Sequence, residues 1–159
     1  MRIVGIDPGL RCTGYGIISV RGKNLSVVQY GTIRTNSHHS FSRRLQTVYD
    51  DITEVLEIYS PDEFSIEEAF YSKNARTALQ LGHVRGVAML AAVHADIPVA
   101  EYSARKIKMA ITGRGGASKE QVQFMVTRLL NLQDPPTPTD ASDALACAIC
   151  HQQQIQVQA

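Results

Sequence analysis

The sequence predicts an α/β fold, a mixed five-stranded sheet flanked by helices. Three observations predict it. Apolar spacing alternates between strand and helix periods in the order β-β-β-α-β-α-β-α-α-α, which implies an α/β sandwich with a mixed sheet. The chain opens on Ile3, Val4 and Ile6, an apolar run too dense in β-branched residues for a surface segment. Its 159 residues, 44% of them hydrophobic, suit one domain with a full core and leave little for a second.

Each element has its own warrant. Arg2–Asp7 is a buried strand ended by the turn signal Pro8-Gly9, and Gly14–Val20 returns beside it. Arg21-Gly22-Lys23-Asn24 is a hairpin turn by composition. Leu25–Arg34 is the third strand of a meander, with Leu25, Val27 and Gln29 alternating against Val28 and Tyr30. Asn36–Ser40 is a polar loop. Phe41–Tyr59 carries apolar residues at 45, 48, 49, 52, 55, 56 and 59, the spacing of one helical face, and Pro61 ends it. Asp62–Glu67 is a short strand with Phe64 and Ile66 on one face. Thr77–Ala95 is a long helix, Ile97–Tyr102 a short strand, and Ala104–Ile111 and Lys119–Leu130 two further helices. Pro135, Pro136 and Pro138 exclude regular structure before Thr139, which is expected to cap a last helix reaching about His151. The domain is expected to span 1–152, with 153–159 a frayed polar tail.

A net charge of +1 excludes little, but its distribution is uneven. Between Ser103 and Arg128 stand Arg105, Lys106, Lys108, Arg114, Lys119 and Arg128, against Glu120 alone. Beyond Arg128 there is no Lys or Arg, and the acids are Asp134, Asp140 and Asp143. A basic segment followed by an acidic one suits a protein that holds a polyanion beside metal-binding carboxylates, although a solvated basic face gives the same count. Cys12, Cys147 and Cys150 make no disulfide framework. Met1 leads straight into the first strand without a signal peptide, and Val84–Val93, interrupted by Arg85, is too short to span a membrane. A cytoplasmic, reduced protein is expected, with no membrane partner.

The chemistry is sought among misplaced carboxylates. Asp7 ends a buried strand, where an isolated carboxylate costs several kcal/mol unless paired or bound to a cation. Capping the Pro-Gly turn is the plainer role. Glu67 repeats the oddity: strand parity sets Ser65 and Glu67 on one face and Ile66 and Glu68 on the other, so one glutamate of the pair points inward. Asp140 and Asp143 are three apart and share a helical face, where they also complement the helix dipole. No Lys or Arg adjacent in sequence neutralises the four. If they converge, hard divalent cations relieve their repulsion; Mg²⁺ suits carboxylate and water oxygens, with Mn²⁺ as the alternative. Two such ions about 3.5–4 Å apart clamp the attacking and leaving oxygens of a phosphodiester.

Four blocks of the chain resemble a known family. GIDPG at Gly5–Gly9 with TGYG at Thr13–Gly16, IEEAFYSKNARTALQLGHVRG at Ile66–Gly86, and DASDALACAICH at Asp140–His151 look like the RuvC Holliday-junction resolvases. The similarity runs from Arg2 to His151. It implies a ribonuclease-H-like fold, a homodimer, two metal ions per site, and Mg²⁺-dependent paired nicking of four-way junction DNA that leaves 5′-phosphate and 3′-hydroxyl ends. It implies the RuvA–RuvB branch-migration complex as a partner. The family's catalytic acids fall on Asp7, Glu67, Asp140 and Asp143, which selects Glu67 over Glu68. Its aromatic beside the junction centre falls on Phe70, expected to stack on an unpaired base for about 1–3 kcal/mol, and its phosphate-binding lysines fall on Lys108 and Lys119. Arg114, in the glycine-rich Gly113–Gly116 loop, is a further phosphate contact without a family match.

The small-residue helix holding Ala78, Gly82, Gly86, Ala88, Ala91, Ala92 and Ala95 is expected to meet a second backbone, either the chain's own sheet or a two-fold partner through Leu79, Val87 or Leu90. Cys147-Ala-Ile-Cys150 lies in an apolar helix without a second cysteine pair and reads as structural. Three rival readings remain. IVGIDPG also resembles the phosphate segment of actin-like ATPases and sugar kinases, which need two lobes. A non-catalytic junction-binding module need not keep four acids. An RNA-processing nuclease of the same fold is not separated by charge.

Overall fold

The computed structural model describes residues 1–68 and 74–158. Five strands form one sheet in the order β3-β2-β1-β4-β5: β1 (Arg2–Asp7), β2 (Cys12–Arg21), β3 (Asn24–Arg34), β4 (Glu63–Glu67) and β5 (Val99–Tyr102). The meander β1–β2–β3 is antiparallel, whereas β4 pairs with β1, and β5 with β4, in parallel. The sheet is mixed because the two-residue turn at Gly22 joins antiparallel neighbours, while β4 and β5 each return only after a helix. Those helices, α1 (Phe41–Tyr59) and α2 (Ala75–His94), cover one face; α3 (Ala104–Thr112), α4 (Lys119–Leu129) and α5 (Thr139–Gln158) cover the other.

Each face has its own core. Val4, Ile6, Ile17, Phe64 and Ile66 meet Val48, Ile52 and Leu56 of α1 and Val84, Ala88, Ala91 and Ala92 of α2. Ile3 and Ile18 meet Ile107 and Ile111 of α3, Val122 and Val126 of α4, and Leu145 and Ile149 of α5. Adjacent residues of β1 therefore serve opposite cores, as a strand buried on both faces requires.

Helix α5 lies unusually close to the sheet. A Cβ added at Gly5 would stand 2.0 Å from the Ala144 carbonyl oxygen, and one at Gly14 would stand 2.0 Å from that of Asp140. Both glycines are there because any side chain would lift the helix. From Ala144 to Cys150 every residue of α5 is fully buried, which explains its run of small and apolar residues.

Two expectations need correction. The pairing of β2 and β3 shifts register between Ile17, opposite Gln29, and Ile18, opposite Val27, so Val28 is an extra residue. Tyr30 consequently shares the α5 face with Leu25 and Val27, and Val28 alone of the four turns to α1; simple alternation fails across a bulge. The last helix does not stop at His151 but continues to Gln158. Glutamine is a good helix former, Ile155 packs on the α5-side core, and Gln156 donates to the Gly22 carbonyl. His151 is buried, with Nδ1 2.7 Å from the Tyr102 hydroxyl and Nε2 3.3 Å from Glu63, away from the acids at the other end of the helix. Cys147 and Cys150 are buried and form no disulfide, and burial pushes both thiols up. Among the described residues no helix is long and apolar enough to cross a membrane.

Gly5→Ala should lower stability by roughly 1–3 kcal/mol, the usual cost of forcing a methyl into a packed core. Urea denaturation should show this as a lower midpoint at unchanged slope.

Candidate active site

The open end of β1 and β4 points at the first turns of α5. Strand β1 ends in Asp7, and parallel pairing sets β4 beside it so that Glu67 extends one residue past the Ile6–Ile66 pair. Ser65 hydroxyl, on Glu67's face, donates to the Val4 carbonyl and ties the two strands. Beyond Asp7 the turn is clamped: the Thr13 hydroxyl donates to the Gly9 carbonyl at 2.7 Å and accepts from the Gly9 amide at 3.2 Å. Thr13 is fully buried and was not singled out from sequence; only its place four residues after a Pro-Gly turn hints at the role.

Asp7, Glu67 and Asp143 line one pocket of about 160 Å³ with Lys108 and Lys119, over an apolar floor of Ile107, Val122 and Ala146. Five of the sequence-predicted residues thus come together. Asp140 sits one turn earlier on α5 and does not line this pocket. Its carboxylate accepts from the Cys12 thiol at 3.5 Å and borders a neighbouring groove. Arg114 lies outside both, beside Phe124 and Met125, with its backbone held by the Thr112 hydroxyl. Phe70 falls outside the described residues. No cation adjacent in sequence neutralises the acids, but the fold brings one to them. Lys119 Nζ lies 3.0 Å from Asp143, a contact between residues 24 apart that only the packing of α4 on α5 creates. Ser118 fixes that lysine by capping α4 in a box with Gln121.

The electrostatics follow from crowding. Asp7 is raised from 3.8 to about 8, first by burial and then by Glu67, Asp143 and Asp140. Glu67 is raised by burial and by Asp143. Lys119 is raised chiefly by its hydrogen bond to Asp143. The Cys12 thiol is pushed up by burial and by Asp140, so it is a neutral donor to that carboxylate. Among the described residues no three carboxylate, imidazole or thiol groups converge closely enough to make a finished metal cage. The pocket is instead a ring of oxygen donors around a space, bordered by Lys108 and Lys119, with the reluctantly ionised Asp7 at its base. An arginine missed from sequence braces it: Arg85 of α2 donates from Nε to the Glu67 carbonyl at 3.0 Å and pairs with Glu101.

The family model for the crossover junction endodeoxyribonuclease RuvC matches residues 3–151. The chain belongs to the RuvC family. RuvC of Pelobacter propionicus is 52% identical over 151 residues, covering 95% of this chain and 85% of its own. RuvC of Dechloromonas aromatica is 51% identical, covering 94% and 83%. Among solved structures, Thermus thermophilus RuvC in complex with a Holliday junction substrate superposes with a TM-score of 0.94 at 30% identity, over 99% of this chain and 96% of that one. The same RuvC in a second structure gives 0.92. The ribonuclease-H-like RuvC fold is thus present from β1 through α5. A yeast mitochondrial Holliday junction resolvase shares the fold alone, at 11% identity and a TM-score of 0.66.

The raised pKa of Asp7 has a measurable consequence without metal. Between pH about 4 and 8 the folded chain keeps a proton that the unfolded chain releases, so stability falls as pH rises through that window. Asp7→Asn removes the cost of ionisation. In chelator it should melt above wild type at pH 8, by about 2–4 °C for each kcal/mol relieved, with the advantage gone near pH 4. A pH-independent difference in thermal melts would contradict the assignment.

Proposed function

We propose that the chain resolves Holliday junctions in recombination and repair, as a crossover junction endodeoxyribonuclease making two symmetric metal-dependent nicks with 5′-phosphate and 3′-hydroxyl ends. The observation that carries this reading is the pocket where Asp7, Glu67 and Asp143 face Lys108 and Lys119, on a fold shared with a RuvC solved on its junction. The donor set fits Mg²⁺ or Mn²⁺: oxygens only, and more negative charge than the chain itself balances. Asp7, Glu67, Asp140 and Asp143 are the residues that would hold two such ions. When bound, such cations would lower the pKa of a water molecule toward the physiological range and would neutralise charge on the departing 3′ oxygen.

The chain's own groups hold and orient the strand. Lys108 stands at the rim, where a phosphate oxygen can take its ammonium. Lys119, bonded to Asp143 yet 67% exposed, is free to turn toward a second phosphate oxygen. The apolar floor excludes water from the inner side and so strengthens these charge interactions. Asp7 sits on a strand fixed on both edges and keeps its carboxylate in place while the strand is drawn in. Phe70 stacks on an unpaired base near the crossover, and Arg114 contacts a more distant phosphate.

Two symmetric nicks need two identical sites, which a two-fold homodimer supplies. Helix α2 is the proposed interface. Among the described residues nothing lies within 4 Å of a Cβ added at Gly82 or Gly86, and Leu79, Leu90 and Val93 are exposed beside them. Leu79, Gly82 and Gly86 share a groove with Leu45 of α1. Supply of the junction by the RuvA–RuvB branch-migration complex, in the cytoplasm, belongs to the same reading.

The direct test is cleavage of a labelled synthetic four-way junction beside a linear duplex and an RNA hairpin. Paired nicks in the junction alone, lost in chelator, are expected; preferential cutting of the RNA would overturn the assignment. Asp7→Asn should bind the junction with unchanged affinity and cut about 10²–10³-fold more slowly, the usual cost of removing one charge-stabilising group. For the dimer, Gly86→Leu should elute as a monomer in size-exclusion chromatography and lose paired nicking, with its melting temperature within a few degrees of wild type.

A further inference from the structure

We propose that the groove on the other side of Asp140 is a second strand-binding subsite, which holds the nucleotide next to the scissile phosphate through Arg11 and Arg44. The proposal rests on the nuclease reading and extends it to a surface that reading leaves unused.

The groove, of about 490 Å³, opens where the β1–β2 turn meets α1 and α2. Arg11 and Arg44 supply positive charge, Leu10 and Leu81 an apolar wall, and Gln80 an amide. Asp140 is its one acid among the described residues. It also forms the boundary with the carboxylate pocket, since Asp143 follows one turn later on α5 and the Asp140 charge is felt at Asp7.

Arg44 is built in. Its Nε donates to the Thr35 hydroxyl at 2.9 Å and its Nη2 to the Leu10 carbonyl at 3.2 Å. These two bonds fix the plane of the guanidinium and leave further N–H donors unused. Neither Arg11 nor Arg44 pairs with a carboxylate among the described residues. A guanidinium without an acid partner, held by backbone and hydroxyl, matches the two-oxygen edge of a phosphate and loses little rotamer freedom on binding it. Leu10 and Leu81 offer area to a sugar or to the face of a base. The amide of Gln80 can pair with a base edge.

The argument for a strand, and not for a lone anion, is the layout. Lys108 and Lys119 border the carboxylates on one side, and Arg11 and Arg44 border Asp140 on the other. Acids flanked by cations on both sides fit a continuous polyanion, whose reacting phosphate sits over the acids while its neighbours are held at either hand.

The test is single-turnover cleavage of four-way junctions in Mg²⁺ by the full chain. One phosphate at a time, at the two linkages on each side of the scissile one, is replaced by a neutral methylphosphonate. One such linkage should slow wild type about tenfold and cause no further loss in Arg11→Ala. The same linkage should remain additive with Lys108→Ala. Arg11 is exposed and makes no ion pair, so the variant should melt like wild type. A uniform fall at every linkage in Arg11→Ala, or a rate equal to wild type, would overturn the proposal. Should wild type leave every junction whole, the nuclease reading falls. The groove is then read from equilibrium binding of the same junctions, where coupling between Arg11 and one linkage is still expected and its absence overturns the subsite.

Discussion

The close approach of α5 to the glycines of β1 and β2 is the constraint from which the rest of the site follows. With Gly5 against Ala144 and Gly14 against Asp140, helix and sheet are nearer than any side chain allows. This contact sets which turn of the helix stands over the end of β1, and so brings Asp143 into the pocket with Asp7. It also explains the composition of α5. A helix pressed on a sheet from Ala144 to Cys150 keeps small or compact residues throughout, and its carboxylates stand ahead of that stretch, near its N-terminus.

That packing forces acids together and must be balanced. The chain does this partly with Lys119 and partly with a proton on Asp7. Neither is permanent, because an ammonium two-thirds exposed can move and a raised acid gives up its proton to a cation. Lys119 and the proton on Asp7 offset part of the acids' charge, and both are groups that a substrate phosphate and divalent ions would displace. A fully satisfied network, with arginines buried against each acid, would be more stable and would leave no room for either.

Much of this was legible in the sequence, and the reasons are local. Asp7 and Glu67 stood out because each ends an apolar strand, a place where a carboxylate is costly; the need is visible without knowing the neighbours. The sheet was legible because its first three strands meet through short turns and its last two follow helices. What escaped depended on contacts distant in sequence. The Lys119–Asp143 bond joins two helices, and strict spacing gave no sign of it. The i, i+3 pair Asp140 and Asp143 shares a helical face but divides between two cavities, because the helix crosses the strand ends where one cavity gives way to the next. The bulge at Val28 carries no sequence mark, since a β-branched residue fits either side of it. The polarity of the glutamine tail suggests fraying, whereas its helix propensity and Ile155 favour continuation.

Helix α2 draws the separate demands together. Its inner face, through Val84, Ala88, Ala91 and Ala92, closes the core over β1 and β4. Its first turns give Thr77, Gln80 and Leu81 to the groove beside Asp140. Its outer face leaves Gly82 and Gly86 bare. Between these faces Arg85 reaches the backbone of Glu67 and fixes the end of β4 against the helix. A rigid link of this kind means that whatever seats α2 also sets the Glu67 carboxylate. In the proposed dimer the partner's position and the acid geometry are therefore not independent. Two sites joined back to back through such helices would share one mechanical reference, which is what a pair of symmetric cuts in one junction requires.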